Sequence, residues 1–131
     1  FLSNNMKLAI KLNLDGVYLP AFNKQLNYIN LNYKKNFKII GSAHNIRELK
    51  IKEKQNCETI FIAPLFKTSK NKSYLGPSKF NLIAIHTKKK IVCLGGINFN
   101  NFKKINLTKS IGLASISWIK KNGLNKNLGR F

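Results

Sequence analysis

Apolar residues along the chain gather in short runs, with polar or amphipathic segments between them. The runs are Phe1–Ser3, Gly16–Pro20, Lys38–Ala43, Thr59–Pro64, Ile91–Leu94 and Ile111–Ser117. Several are continuous and not alternating, the pattern of strands buried on both faces of a parallel sheet. The segments between them suit helices. In "NIRELKIKEKQNC", Asn45 is a good N-cap and Glu48 stands at the capping-box position three residues on. Lys52 follows Glu48 at i,i+4 and adds weak support. "NMKLAIKLNL" sets Met6, Leu8, Ala9 and Ile10 near one face and stops before Asp15-Gly16. "NNFKKINL" can form a short helix. The longest connection, from Phe66 to about Ile85, opens with the turn-rich "KTSKNKSYLGPS" and then offers the helix "SKFNLIAIH".

Strand and helix alternate six times, an α/β pattern. An open doubly wound sheet and a (β/α)8 barrel both fit it. A whole barrel takes about 250 residues, and at least about 200, whereas this chain has 131. The chain opens on Phe1, and "FLSNN" reads as the end of a strand. The expectation is therefore a (β/α)8 TIM barrel with about six of its eight units in this chain. Residues 1–131 form a single domain in this reading, with two N-terminal units upstream of it. Six units alone would leave two bare sheet edges, so the isolated chain is expected to be unstable or to aggregate.

Charge complicates the picture. The formal charge is +20, with Asp15, Glu48, Glu53 and Glu58 the only acids. Such a balance is the electrostatic footprint of a nucleic-acid binder. Against that, nearly all the excess is Lys spread along the chain, beside abundant Asn, Ile and Phe. These four residue types share A/T-rich codons, so a solvated basic surface is the preferred reading, and RNA binding the weaker one. Cys57 and Cys93 make no metal-ligand spacing, and two reduced thiols suit a cytoplasmic protein. No apolar stretch reaches the about 18 residues a membrane span needs.

Chemistry is expected at the C-terminal ends of the strands. Those ends read "GSAHN" (Gly41–Asn45), "APLFKTSK" (Ala63–Lys70), "LGGIN" (Leu94–Asn98) and "ASIS" (Ala114–Ser117). Paired glycines at a strand-to-helix turn bare their backbone N–H groups and so can cradle phosphate. Barrels often bind phosphate between the loops after their last two strands. Gly95, Gly96 and Ser117 fall on those two loops.

The order "DGVYLP", "IIGSAHN", "IFIAPLFKTSK", "LGGIN" and "ASIS" resembles the thiamine phosphate synthase family, whose relatives include the thiazole tautomerases. The likeness spans nearly the whole chain. It implies a (β/α)8 barrel and a transferase of thiamine biosynthesis. That enzyme joins hydroxymethylpyrimidine diphosphate to thiazole phosphate, releases pyrophosphate and is assisted by Mg2+. Carried over by position, the resemblance implies Ser42, Thr68 and Lys70 as catalytic residues, with Lys72 an alternative to Lys70. Gly95, Gly96 and Ser117 become the phosphate cradle. His44 and Asn4 become substrate contacts, with a helix-cap neighbour the other reading of His44. Asn5 falls at a metal-ligand position.

The departures concern the metal. The family has an Asn-Asp pair where this chain has Asn4-Asn5, and a further Asp where it reads Pro20-Ala21-Phe22-Asn23. Mg2+ prefers carboxylate and phosphate oxygens, so these neutral residues weaken the implied site. The tautomerase His is also absent from "APLF". Three readings stand in order: a cytoplasmic synthase-type transferase, a non-catalytic or tautomerase-like binder of thiazole or thiamine phosphate, and a basic RNA-binding protein. The first two take small phosphorylated substrates as partners, involve no membrane and leave homo-oligomerisation open.

Overall fold

The computed structural model describes residues 1–27, 31–69 and 73–118. Among these residues the chain forms β1 (Leu2–Ser3), α1 (Met6–Lys11), β2 (Gly16–Leu19), β3 (Lys38–Ala43), α2 (Ile46–Lys54), β4 (Thr59–Ile62), α3 (Gly76–Ala84), β5 (Lys90–Leu94), a 3-10 helix (Phe102–Leu107) and β6 (Gly112–Ala114). All pairings are parallel, and the strands lie side by side in chain order, β1 to β6. A doubly wound sheet reverses its strand order at a switch point. No reversal occurs here, so the topology is that of consecutive barrel units in one open sheet.

Local chemistry accounts for the element boundaries. Asn45 Oδ1 accepts from the Glu48 N–H at 2.9 Å, the expected cap of α2. The Glu48 carboxylate reaches one residue further back than a capping box requires, to the His44 N–H at 2.7 Å. Asn5 Oδ1 caps α1 through Leu8 N at 3.0 Å. Helix α3 begins before the expected "SKFNLIAIH", because Pro77 is preorganised for the first helical turn. The "NNFKKINL" helix is a 3-10 helix.

The two faces of the sheet differ. Val17, Leu19, Ile39, Ile60, Ile62, Ile91 and Cys93 point to one face and are almost wholly buried. Met6 and Ala9 of α1, Leu49 of α2, and Phe80, Ile83 and Ala84 of α3 join them in a single core. Tyr18, Ile40, Phe61 and Val92 share the other face through their register and are only partly covered. Continuous apolar runs suggest burial on both faces, but an open sheet does not enclose its inner face. Cys57 and Cys93 are free thiols within the covered core.

Candidate functional site

The turn after β5 carries the paired glycines. Both have positive φ, 97° at Gly95 and 69° at Gly96, a region L-residues rarely occupy. Space is equally restrictive. A Cβ on Gly95 would stand 2.9 Å from Pro64, and one on Gly96 would overlap the carbonyls of Phe66 and Lys67. The loop after β4 is laced onto this turn by Leu65 N–H to Leu94 O (2.9 Å) and Phe66 N–H to Gly95 O (3.0 Å). A third loop joins through Ser115 Oγ, which donates to Ile97 O at 3.1 Å. The glycines thus let three strand-end loops meet.

Where they meet is a pocket of about 540 Å³, lined by Lys67, Thr68, Gly96, Asn98, Ser117 and Trp118 among others. Asn side chains fix its floor. Asn101 Nδ2 donates to Gly96 O at 2.8 Å, and Asn101 Oδ1 accepts from Asn98 N at 2.9 Å. Asn98 Oδ1 then accepts from Asn100 N at 2.9 Å. An aromatic row of Phe99, Phe102 and Trp118 runs beside it, with the last two rings stacked at 5.7 Å. The lining therefore offers hydroxyls, a cation and an apolar wall. These suit a phosphate carried on a flat heterocycle.

A second opening of about 520 Å³ lies over β2 and β3, lined by Tyr18, Phe22, Lys24, Ser42, His44 and Glu48 among others. Tyr18 donates to Ser42 Oγ at 2.8 Å, which orients the serine at the end of β3. His44 Nδ1 lies 3.0 Å from Glu48 Oε2, and half of the His44 side chain is exposed, at 51%. Burial pushes the Glu48 carboxyl up, but hydrogen bonds from His44 and Asn45 outweigh it and hold the group below its ordinary value.

The third cluster lies at the β1–β2 corner. Asn4 Oδ1 accepts from Asn23 Nδ2 at 2.7 Å, and Asn5 is occupied as the α1 cap. Asn23 Oδ1 accepts from Gln25 N at 2.9 Å and from Gln55 Nε2 at 3.2 Å. Behind them Lys52 is fully buried, its Nζ donating to Pro20 O (2.7 Å), Asn23 O (2.8 Å) and Gln55 Oε1 (2.8 Å). Gly41 makes room for it, since a Cβ there would stand 2.8 Å from the Lys52 stem. Divalent Mg2+ needs anionic oxygens, and here the amide oxygens already accept hydrogen bonds beside a buried ammonium. The residues present do not fit the metal. Among the described residues, no group of three or more His, Cys, Asp or Glu could hold one either.

The structure thus brings Thr68, Gly96 and Ser117 to one pocket, with Gly95 directly behind it against Pro64. Ser42 and His44 share a different opening, and Asn4 and Asn5 line a third, smaller one. Lys70 and its alternative Lys72 lie outside the described residues. Lys67 is the lysine described in the lining. Sequence reasoning missed the Lys52–Gln55–Asn23 network. Its signal was a lysine on the buried stripe of α2, three residues after Leu49.

A parallel sheet in barrel order, with a pocket lined by hydroxyls and a lysine at its strand ends, is the architecture of a (β/α) barrel protein. The model of the thiamine monophosphate synthase family matches residues 1–119, and the chain belongs to that family. It is 30% identical over 123 residues to a thiamine-phosphate synthase of Prochlorococcus marinus, covering 90% of this chain and 34% of that protein. It is 25% identical over 118 residues to a putative thiamine-phosphate synthase 2 of Aquifex aeolicus, covering 88% of this chain and 63% of the relative. The chain therefore spans between about a third and somewhat under two thirds of these relatives' lengths. The structure superposes on a thiamine phosphate pyrophosphorylase from Pyrococcus furiosus with a TM-score of 0.66 at 21% identity, covering 87% of this chain and 55% of the other. That likeness concerns the fold.

Proposed function

We propose that the protein is a thiamine-phosphate-synthase-type transferase that binds thiazole phosphate between the loops after β4, β5 and β6. One observation carries the reading: Thr68, Gly96 and Ser117, from three separate loops, line one pocket. In this reading Thr68 and Ser117 donate hydroxyls to the phosphate oxygens, and the tight Gly96 turn lets the phosphate approach the backbone. Lys67 neutralises charge, and Trp118 covers the thiazole ring. Ser42, in the neighbouring opening, faces the pyrimidine diphosphate. Bond breaking there builds negative charge on the departing pyrophosphate, which fixed donors and cations stabilise. Lys70 is the proposed cation for that step. The protein acts in the cytoplasm, in keeping with its buried free thiols.

The test supplies the complete protein with hydroxymethylpyrimidine diphosphate and thiazole phosphate and measures thiamine phosphate. Product is expected, and thiazole phosphate alone should protect against thermal unfolding. Neither product nor protection removes the proposal. The engaged Asn4–Asn23 pair favours a second reading, a binder of thiazole or thiamine phosphate without turnover. Protection without product selects it.

A further inference from the structure

The buried amide network has a direction that its hydrogen bonds fix. Gln55 Nε2 faces three acceptors, namely Asn23 O at 3.1 Å, Asn23 Oδ1 at 3.2 Å and Gln25 O at 2.9 Å. Its Oε1 must therefore be the atom that faces Lys52. Asn23 Oδ1 is in turn consumed by Gln25 N and Gln55 Nε2, so Nδ2 is the atom that faces Asn4. Asn4 then accepts through Oδ1, and the atom left over on its amide is Nδ2, a donor.

The source of this order is the Lys52 ammonium. Three acceptors surround Nζ, which matches the three N–H bonds of a charged lysine and exceeds the two of a neutral amine. Among the described residues no buried anion touches it: burial lowers the Lys52 pKa, and the partly buried Glu48 carboxylate supports the charge only from a distance. Burial pushes the adjacent Cys57 thiol up to about 11, so it stays protonated at neutral pH. The acceptors are all neutral carbonyl or amide oxygens. A positive charge is thus fixed behind the amides that stand at the implied metal positions, and those amides have turned their oxygens inward.

We propose that Lys52, acting through Gln55, Asn23 and Asn4, replaces a bound divalent cation in this chain and excludes one from the β1–β2 corner. Lys52 is a positioning residue: it is fully buried and reaches a ligand only through the order it imposes. The consequence for ligand binding rests on the phosphate-ligand reading above. An anionic diphosphate is held by protein donors and cations, independently of Mg2+.

The experiment titrates Mn2+ into the complete protein and follows free Mn2+ by its paramagnetic resonance signal. No saturable binding at millimolar Mn2+ is expected for the native protein. The triple variant Asn4→Asp, Asn23→Asp, Lys52→Met, which restores carboxylates and removes the ammonium, should gain saturable binding. A second variant, Asn4→Asp alone, retains the ammonium and should gain little. Saturable Mn2+ binding to the native protein that Asn4→Ala abolishes would overturn the inference. So would equal Mn2+ binding by Asn4→Asp and the triple variant. Pyrophosphate affinity, measured with chelator and then with Mg2+, should agree within about twofold, less than the tenfold that 1.4 kcal/mol represents. A tenfold gain with Mg2+ contradicts the inference. Absence of pyrophosphate binding in both conditions removes the ligand reading instead, and the Mn2+ titration alone then decides this one.

Discussion

Two corners of the same sheet end are rich in Asn, and they use it oppositely. At the β1–β2 corner, Asn4, Asn23 and Gln55 satisfy one another and a buried lysine. At the β5–β6 corner, Asn98 and Asn101 hold only the loop backbone, and a pocket of about 540 Å³ stays open in front of them. Polar residues whose partners are internal specify structure. A site needs donors that the fold leaves facing an opening. The comparison predicts that substitutions in the first corner act on stability and those in the second on binding.

The largest effect is expected from Lys52→Ala. It leaves a cavity and removes the shared donor of three acceptors, two of which, Pro20 O and Asn23 O, keep a second N–H, at a cost of about 3–5 kcal/mol in urea unfolding. A cost under about 1 kcal/mol would mean the corner is not the structural unit described. Gly96→Ala blurs the division. Its positive φ and the facing carbonyls of Phe66 and Lys67 should cost about 2–4 kcal/mol, and the displaced loop should also lose thiazole phosphate. Asn5→Ala removes the α1 cap and should cost about 1 kcal/mol with no change in ligand binding. If the same substitution weakened binding, Asn5 would belong to a site after all.

Thr68→Ala and Ser117→Ala should do the reverse. Each is expected to weaken thiazole phosphate binding by about 0.5–1.5 kcal/mol, roughly twofold to tenfold by calorimetry, and to affect binding more than unfolding. The smallest effect concerns pH. The Glu48 carboxyl titrates lower in the folded chain than in the unfolded one. Its contribution to stability is full above the ordinary glutamate value and is lost as pH falls through the lowered folded value. Glu48→Gln should therefore lower stability slightly at neutral pH, with the difference from the native protein shrinking as pH falls through that window, so that the acid limb of the stability–pH curve is flattened.

The fold was largely legible because its signals are local. Continuous runs such as Thr59–Ile62, the Asn45 cap and the glycines after Leu94 each follow from nearest neighbours in sequence. Gly96 and Ser117 could be grouped from the sequence because barrel order places successive strand ends side by side, whereas Thr68, read there with Ser42, lines the glycine pocket and not the opening that holds Ser42. Two things were not legible. Half-covering of Tyr18, Ile40 and Phe61 depends on how far the sheet closes, which no run of residues states. The Lys52 network joins α2 to the loop after β2 across about thirty positions, and Gly41 must be vacant of side chain for it to form. A lysine on a helix reads as solvent-facing until that vacancy is known.

The central claim is that the loops after β4, β5 and β6 recognise a phosphate. Thermal unfolding of the complete protein with thiazole phosphate, set against the same thiazole bearing a free alcohol, tests it most directly. The account predicts a higher midpoint with the phosphate ester, none with the alcohol, and loss of the rise in a Thr68→Ala, Ser117→Ala double variant. Equal protection by the alcohol, or a rise that survives the double variant, contradicts it.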